Sequence, residues 1–228
     1  MSTPPTVQLK LFFARGSDRA VILRQGPYKL SRMILWHRGT DYFEDGQWLK
    51  HRVYADRSDL SPDGQHFLYF ALDGKPGSPT KGSYTALSRP PYFTALALYP
   101  IGHTWWGGGF FLSNDTFVGD GEKDIIGRAE GLSRCTRSWD RTAQREVYTD
   151  AKGRAFELPE KTSHHAAARA HPDYLAKGAR LYRRRGAELS LIRDFTDMEF
   201  TEIRAPYDWR SPGDAGHRPW HPLDGELP

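Results

Sequence analysis

Apolar and aromatic positions fall in short runs along this chain, each of strand length and each bounded by turn residues. In the first half they are Val7–Ala14, Ala20–Arg24, Arg32–His37, Gln47–Tyr54, His66–Leu72 and Tyr84–Ser88. They continue through Tyr92–Tyr99, Phe110–Leu112, Arg145–Tyr148, Arg154–Leu158, Arg180–Arg184, Glu188–Phe195 and Glu199–Arg204. Such runs predict β-strands. Asp45-Gly46, Asp63-Gly64, Asp73-Gly74, Asp120-Gly121, Lys152-Gly153 and Arg185-Gly186 stand between or within them, placing glycine where a tight turn requires positive φ. Hairpins in series follow. Two stretches carry a helix signal: Lys161–Ala170 is alanine-rich but has no apolar stripe to bury, and predicts a loop with one helical turn at most. Asp124–Leu132 is interrupted by Gly127 and Gly131.

The runs also repeat. Core strands starting near Ala20, His66, Phe110 and Arg154 are spaced by about 45 residues, the length of a four-stranded propeller blade. Ser58–Tyr69 matches Pro172–Tyr182 internally: an aspartate, an apolar residue, a turn ending in glycine and an aromatic strand recur in register. The second copy starts about two and a half periods after the first, so a regular array requires insertions. The predicted fold is therefore all-β, a small β-propeller of four or five blades, with another antiparallel sandwich or barrel as the alternative. One domain over residues 1–208 and a proline- and glycine-rich tail over 209–228 are expected, the tail extended or poorly ordered, with Trp209 and Trp220 as residues able to dock on the body.

Leu60-Ser61-Pro62-Asp63-Gly64-Gln65-His66-Phe67-Leu68-Tyr69-Phe70 resembles the Ser-Pro-Asp-Gly signature of the WD40-like repeats in TolB-type β-propellers, where it marks a turn into an inner strand. Those proteins often carry a Leu-Trp pair on a preceding strand, and Leu35-Trp36 stands upstream here. The match covers roughly 40 residues, about one blade, and occurs once. Arg89–Leu98 and Asp194–Phe200 are similar to segments of uncharacterised bacterial proteins that share the turn, a resemblance that implies no function. On physical grounds, Pro62 presets φ for a turn, Asp63 can accept bonds from nearby amides, and Gly64 supplies positive φ.

Composition sharpens this picture. Seven Trp, eleven Tyr and twelve Phe supply buriable area in a chain of 228 residues that is only 38% hydrophobic, and they argue against disorder. A net charge of +4 arises from 32 basic and 28 acidic residues, a mixed surface that gives little support to a nucleic-acid partner. Cys135 is the only cysteine, so no intramolecular disulfide forms; it is read as an incidental thiol. The start of the chain lacks signal-peptide features and no apolar stretch approaches membrane-spanning length, so a cytoplasmic location is expected.

Candidate chemistry is sparse. Trp105-Trp106-Gly107-Gly108-Gly109-Phe110-Phe111 reads either as a stacking platform for a sugar or base or, the favoured reading, as a core strand whose glycines admit neighbouring rings. No zinc spacing unites His164, His165, His171, His217 and His221, so no metal is expected, and no cofactor motif is present. The Arg180–Gly186 run reads as a solvated hairpin edge rather than a phosphate grip. Asp41, Asp59, Asp115 and Asp173 lie near predicted turns, where an enzyme would bring carboxylates together at a propeller mouth. The leading expectation is a non-enzymatic module that binds a protein partner. The alternatives are a lectin-like protein stacking a small sugar on Trp105, Trp106 or Trp48, and a glycoside hydrolase using Asp59 and Asp173.

Overall fold

The structure is a computed structural model that describes residues 6–156, 171–210 and 221–223. Among them there is no helix, and the strands form four sheets. The first is an antiparallel meander of β1 (Gln8–Phe13), β2 (Arg19–Gln25), β3 (Ser31–His37) and β4 (Tyr42–Leu49). The second repeats it with β5 (Arg52–Leu60), β6 (Phe67–Leu72), β7 (Ser83–Ser88) and β8 (Ala95–Pro100). The third contains β9 (Gly109–Phe111), β10 (Thr116–Gly119), β11 (Ser133–Asp140), β12 (Arg145–Thr149) and β13 (Ala155–Phe156), with β10 and β11 parallel. A three-stranded meander of β14 (Tyr174–Lys177), β15 (Arg180–Arg185) and β16 (Glu188–Asp194) completes the set.

The sheets pack face to face. Val21, Leu23 and Met33 of the first sheet meet Phe67, Tyr69 and Ala86 of the second. The opposite face of the first sheet, with Ile22, Ile34 and Trp36, meets Leu181 and Phe195 from the fourth. The second sheet in turn presents Leu68, Leu87 and Tyr99 to Phe111 and Phe117 of the third. Covering both faces of a sheet removes the alternation of polar and apolar positions. That is why β3, β6, β7 and β8 are almost wholly buried, while β11 and β16 on the flanking sheets are largely exposed. Each fully buried Phe or Leu contributes about 1.5–3 kcal/mol. The first strands also touch in order: β14 lies on β1, β1 on β5, and β5 on β9. Leu9 N donates to Gly178 O at 3.1 Å across the first of these contacts.

Several expectations need correction. The run Gln47–Tyr54 is not one strand but the crossing from β4 to β5, between two sheets. Gly46 lies within β4 and does not adopt positive φ; it is glycine because a Cβ would stand 1.9 Å from Pro91 O. The repeat spacing holds only from the first sheet to the second, because the strand at Ala155 joins the same sheet as Phe110. Glu199–Arg204 forms no strand, and β15 is the central strand of its sheet rather than an edge. Asp124–Leu132 is a loop, in which Asp124 accepts from Leu98 N, Ile126 N and Gly127 N at 2.9–3.0 Å. Lys161–Ala170, with His164 and His165, lies outside the described residues.

The tail is partly docked. His221 is fully buried and its Nε2 accepts from Ala95 N at 2.7 Å, while Trp209 packs on the His221 ring and under the Arg128 guanidinium. Trp220 and His217 are outside the described residues.

The Ser61–Gly64 turn is built as its chemistry predicts. Gly64 has φ +73°, Asp63 Oδ1 accepts from Gln65 N at 3.0 Å, and Ser61 Oγ accepts from His66 N at 2.9 Å. Pro172–Tyr182 supplies the equivalent β14–β15 hairpin, so the internal match marks corresponding turns of two sheets. His66, at the entry to β6, is half-buried, and desolvation, reinforced by Arg89, holds its pKa below the ordinary imidazole value. Desolvation and Arg38 act on His171 in the same direction. Both imidazoles favour the neutral form when folded, so the unfolded chain binds more protons and stability is lost as pH falls below about 6.5. The melting temperature is expected to drop between pH 7.5 and pH 5.5, and to drop less in His66→Gln. An equal drop in that variant would remove His66 from the account.

Candidate functional site

The segment from Ile101 to Gly108 links β8 to β9, and its backbone is anchored on the second sheet. Ile101 N donates to Ser83 O at 2.9 Å, Ser83 Oγ to His103 O at 2.7 Å, Arg57 Nη1 to Thr104 O at 2.8 Å, and Gly108 N to Thr85 Oγ1 at 2.8 Å. Gly108 has φ +88°, and a Cβ there would stand 2.0 Å from Arg57 O. That close approach lets the loop lie flat on β5. The favoured core reading of this segment therefore divides. Phe110 and Phe111 are buried in the third sheet, whereas Trp105 and Trp106 project outward with exposures of 84% and 61%. The His103 ring packs edge-on against Trp106, with centroids 4.8 Å apart.

Trp48 takes no part in this display. It is 4% exposed, flanked by the guanidinium groups of Arg24 and Arg32 at 5.3 and 5.1 Å from its ring centre, and in contact with Phe200. Buried in this way, its ring is not open to a sugar. Asp59 is also buried, and its Oδ2 accepts from Phe111 N at 2.8 Å, stitching β5 to β9. Asp173 is exposed beside His171, just before β14. Asp59 thus closes the leading strand of the second sheet and Asp173 precedes that of the fourth, with the first sheet packed between them. Asp41 pairs with Arg183 at 2.9 Å, and Asp115 caps the β9–β10 turn through Ser113 and Thr116. Each of these carboxylates has a local structural partner.

A cleft of about 490 Å³ opens between β1, the end of β2 and β5. Val53 and Ala55 contribute its apolar lining; Lys10, Gln25, Arg52 and Asp56 are polar, and Tyr28 and Tyr54 are aromatic. None of these residues stands out in the sequence, because they come from three separate segments and share no motif.

No protein-family model, curated protein or solved structure matches this chain.

Among the described residues no group of three His, Cys, Asp or Glu side chains is placed to hold a metal ion. Cys135 is buried, and desolvation followed by Asp150 pushes its thiol pKa up, the reverse of what activates a nucleophile. No helix of the described residues is long and apolar enough to cross a membrane.

Proposed function

We propose that this chain is a non-enzymatic binding module, built as a small β-propeller, that holds a protein partner through Trp105 and Trp106. The observation that carries the proposal is the exposure of two adjacent tryptophans on a backbone fixed at four points. Large rings on an ordered loop are the anchors from which interface hot spots are made, because little conformational entropy remains to be lost when they are covered. The propeller reading is supported by the two successive four-stranded meanders and by the contacts between successive first strands, which a radial arrangement of blades requires. A cytoplasmic location belongs to the same proposal, and a lone cysteine fits it.

Affinity capture of the tagged chain beside the Trp105→Ala, Trp106→Ala double variant tests the reading. A stoichiometric partner is expected with the parent chain and not with the variant, whose stability is expected to change by less than about 0.5 kcal/mol because both rings are solvent-exposed. A partner retained equally by both would overturn it. Carbohydrate binding is the second reading, favoured by the exposed Trp105 ring; it predicts that a glycan from a broad panel shifts tryptophan fluorescence in the parent chain and not in the double variant. A flat response across the panel would exclude it for those glycans.

A further inference from the structure

We infer that the cleft between β1 and β5 is a second binding site, which takes a small phosphate monoester carrying a planar ring. The charge comes first. Lys10 on β1 and Arg52 on β5 both line the cleft, and among the described residues neither forms an ion pair. Asp56 is the only carboxylate among the described residues of the lining, which together carry a net positive charge. Arg57, the next residue, adds a second guanidinium nearby: it and Arg52 stack on the Tyr54 ring at 5.6 and 5.0 Å. A phosphate monoester carries close to two negative charges at neutral pH, matching the two cations of Lys10 and Arg52, and a guanidinium beside an ammonium supplies charge-assisted donors for its oxygens.

The ring comes from Tyr28. It occupies the β2–β3 connection with φ +60°, a left-handed conformation costing roughly 1–2 kcal/mol for a residue with a Cβ. Nothing in the fold recovers that cost through packing, since the side chain is 92% exposed. The connection is nevertheless tightly held: Gly26 N donates to Leu30 O at 2.8 Å, and the buried Arg24 donates to Gly26 O at 2.6 Å. A strained, anchored backbone thus stations a free aromatic ring on the cleft wall, where a planar group can stack. Gln25 is fixed beside it by its donation to Val53 O at 2.7 Å, which leaves its carbonyl oxygen as an acceptor. The volume lies within the range of small-ligand clefts, about 300–1,000 Å³.

The described lining shares no residue with the loop that carries Trp105 and Trp106, and calorimetric titration of the whole chain with phenyl phosphate, inorganic phosphate and benzoate tests the site. Phenyl phosphate is expected to bind saturably below about 1 mM, with inorganic phosphate and benzoate each at least about tenfold weaker. Lys10→Gln and Arg52→Gln are each expected to weaken phenyl phosphate about tenfold without lowering the melting temperature, and Tyr28→Ala to reduce it to the level of inorganic phosphate. No saturable binding, or affinity unchanged in Lys10→Gln and in Arg52→Gln, would overturn the site. Benzoate binding as tightly as phenyl phosphate would overturn the phosphate assignment. Arg52 is exposed at the start of its strand, so its variant keeps the test open should the change at Lys10 disturb folding.

Discussion

Replacing Trp36 with alanine is expected to cost about 3–5 kcal/mol, a loss of roughly 10 °C or more in melting temperature. Trp36 is fully buried on β3, where its ring stacks on Phe43 with centroids 5.7 Å apart, meets Tyr174 edge-on at 4.7 Å and approaches Phe13 at 6.4 Å. Its indole N–H reaches Asp41 Oδ1 at 3.3 Å, and the same carboxylate receives Arg183 from the fourth sheet. Trp36 thus joins the first sheet to the fourth through its ring contacts and through a hydrogen bond to the carboxylate that pairs with Arg183, and alanine would leave a large cavity among these rings. Trp36→Phe preserves most of the ring contacts and is expected to lose less. Denaturant unfolding of both variants checks this; a cost under about 1 kcal/mol for Trp36→Ala would show that the two sheets do not depend on this contact.

Gly108→Ala is expected to be nearly as damaging, by about 3 kcal/mol or more. The new Cβ would strike backbone, Arg57 O at 2.0 Å, and a left-handed φ of +88° adds its own strain for alanine. Relief requires the loop to lift from β5, which would break the Gly108 N to Thr85 Oγ1 bond and displace the two tryptophans. The variant should therefore lose stability and partner binding together, whereas the double tryptophan variant should lose only binding. Gly77→Ala is the control, since nothing lies within 4 Å of a Cβ at that position, and it should stay within about 0.5 kcal/mol of the parent. Thermal melts of the two glycine variants decide the matter; similar melting temperatures would contradict the close packing of the loop on β5.

Strands with both faces covered were the most legible in the sequence. β2, β3, β6 and β8 read as uninterrupted apolar runs because neighbouring sheets dry both sides of them. β10 and β11 escaped: the former is only four residues long, and the latter is polar on its exposed positions. Their parallel pairing depends on a long connection that Arg134 ties down, donating to Gly119 O, Gly121 O and Glu122 O at 2.5–2.8 Å; such tertiary bonds leave no local pattern. The crossing at Lys50-His51 was invisible for a similar reason. It contains neither Gly nor Pro, and His51 is held by its 2.8 Å bond to Tyr84 OH rather than by turn chemistry.

The candidate sites divide along the same line. Trp105 and Trp106 were conspicuous as residues, yet their exposure was set by hydrogen bonds between their loop and Arg57, Ser83 and Thr85, at least 20 positions away in sequence. Trp48 looked equivalent and is not, because it is buried beside Arg24 and Arg32 in the first sheet. The β1–β5 cleft exists only through tertiary packing.

The most direct test of the central claim is the dissociation constant of the captured partner, measured for the parent chain, for Trp105→Ala with Trp106→Ala, and for Trp139→Ala as an exposed tryptophan elsewhere, on β11 of the third sheet. A loss of about 100-fold or more in the double variant with little change in Trp139→Ala is the predicted result. A loss below about threefold in the double variant would place the partner on another surface and contradict the account.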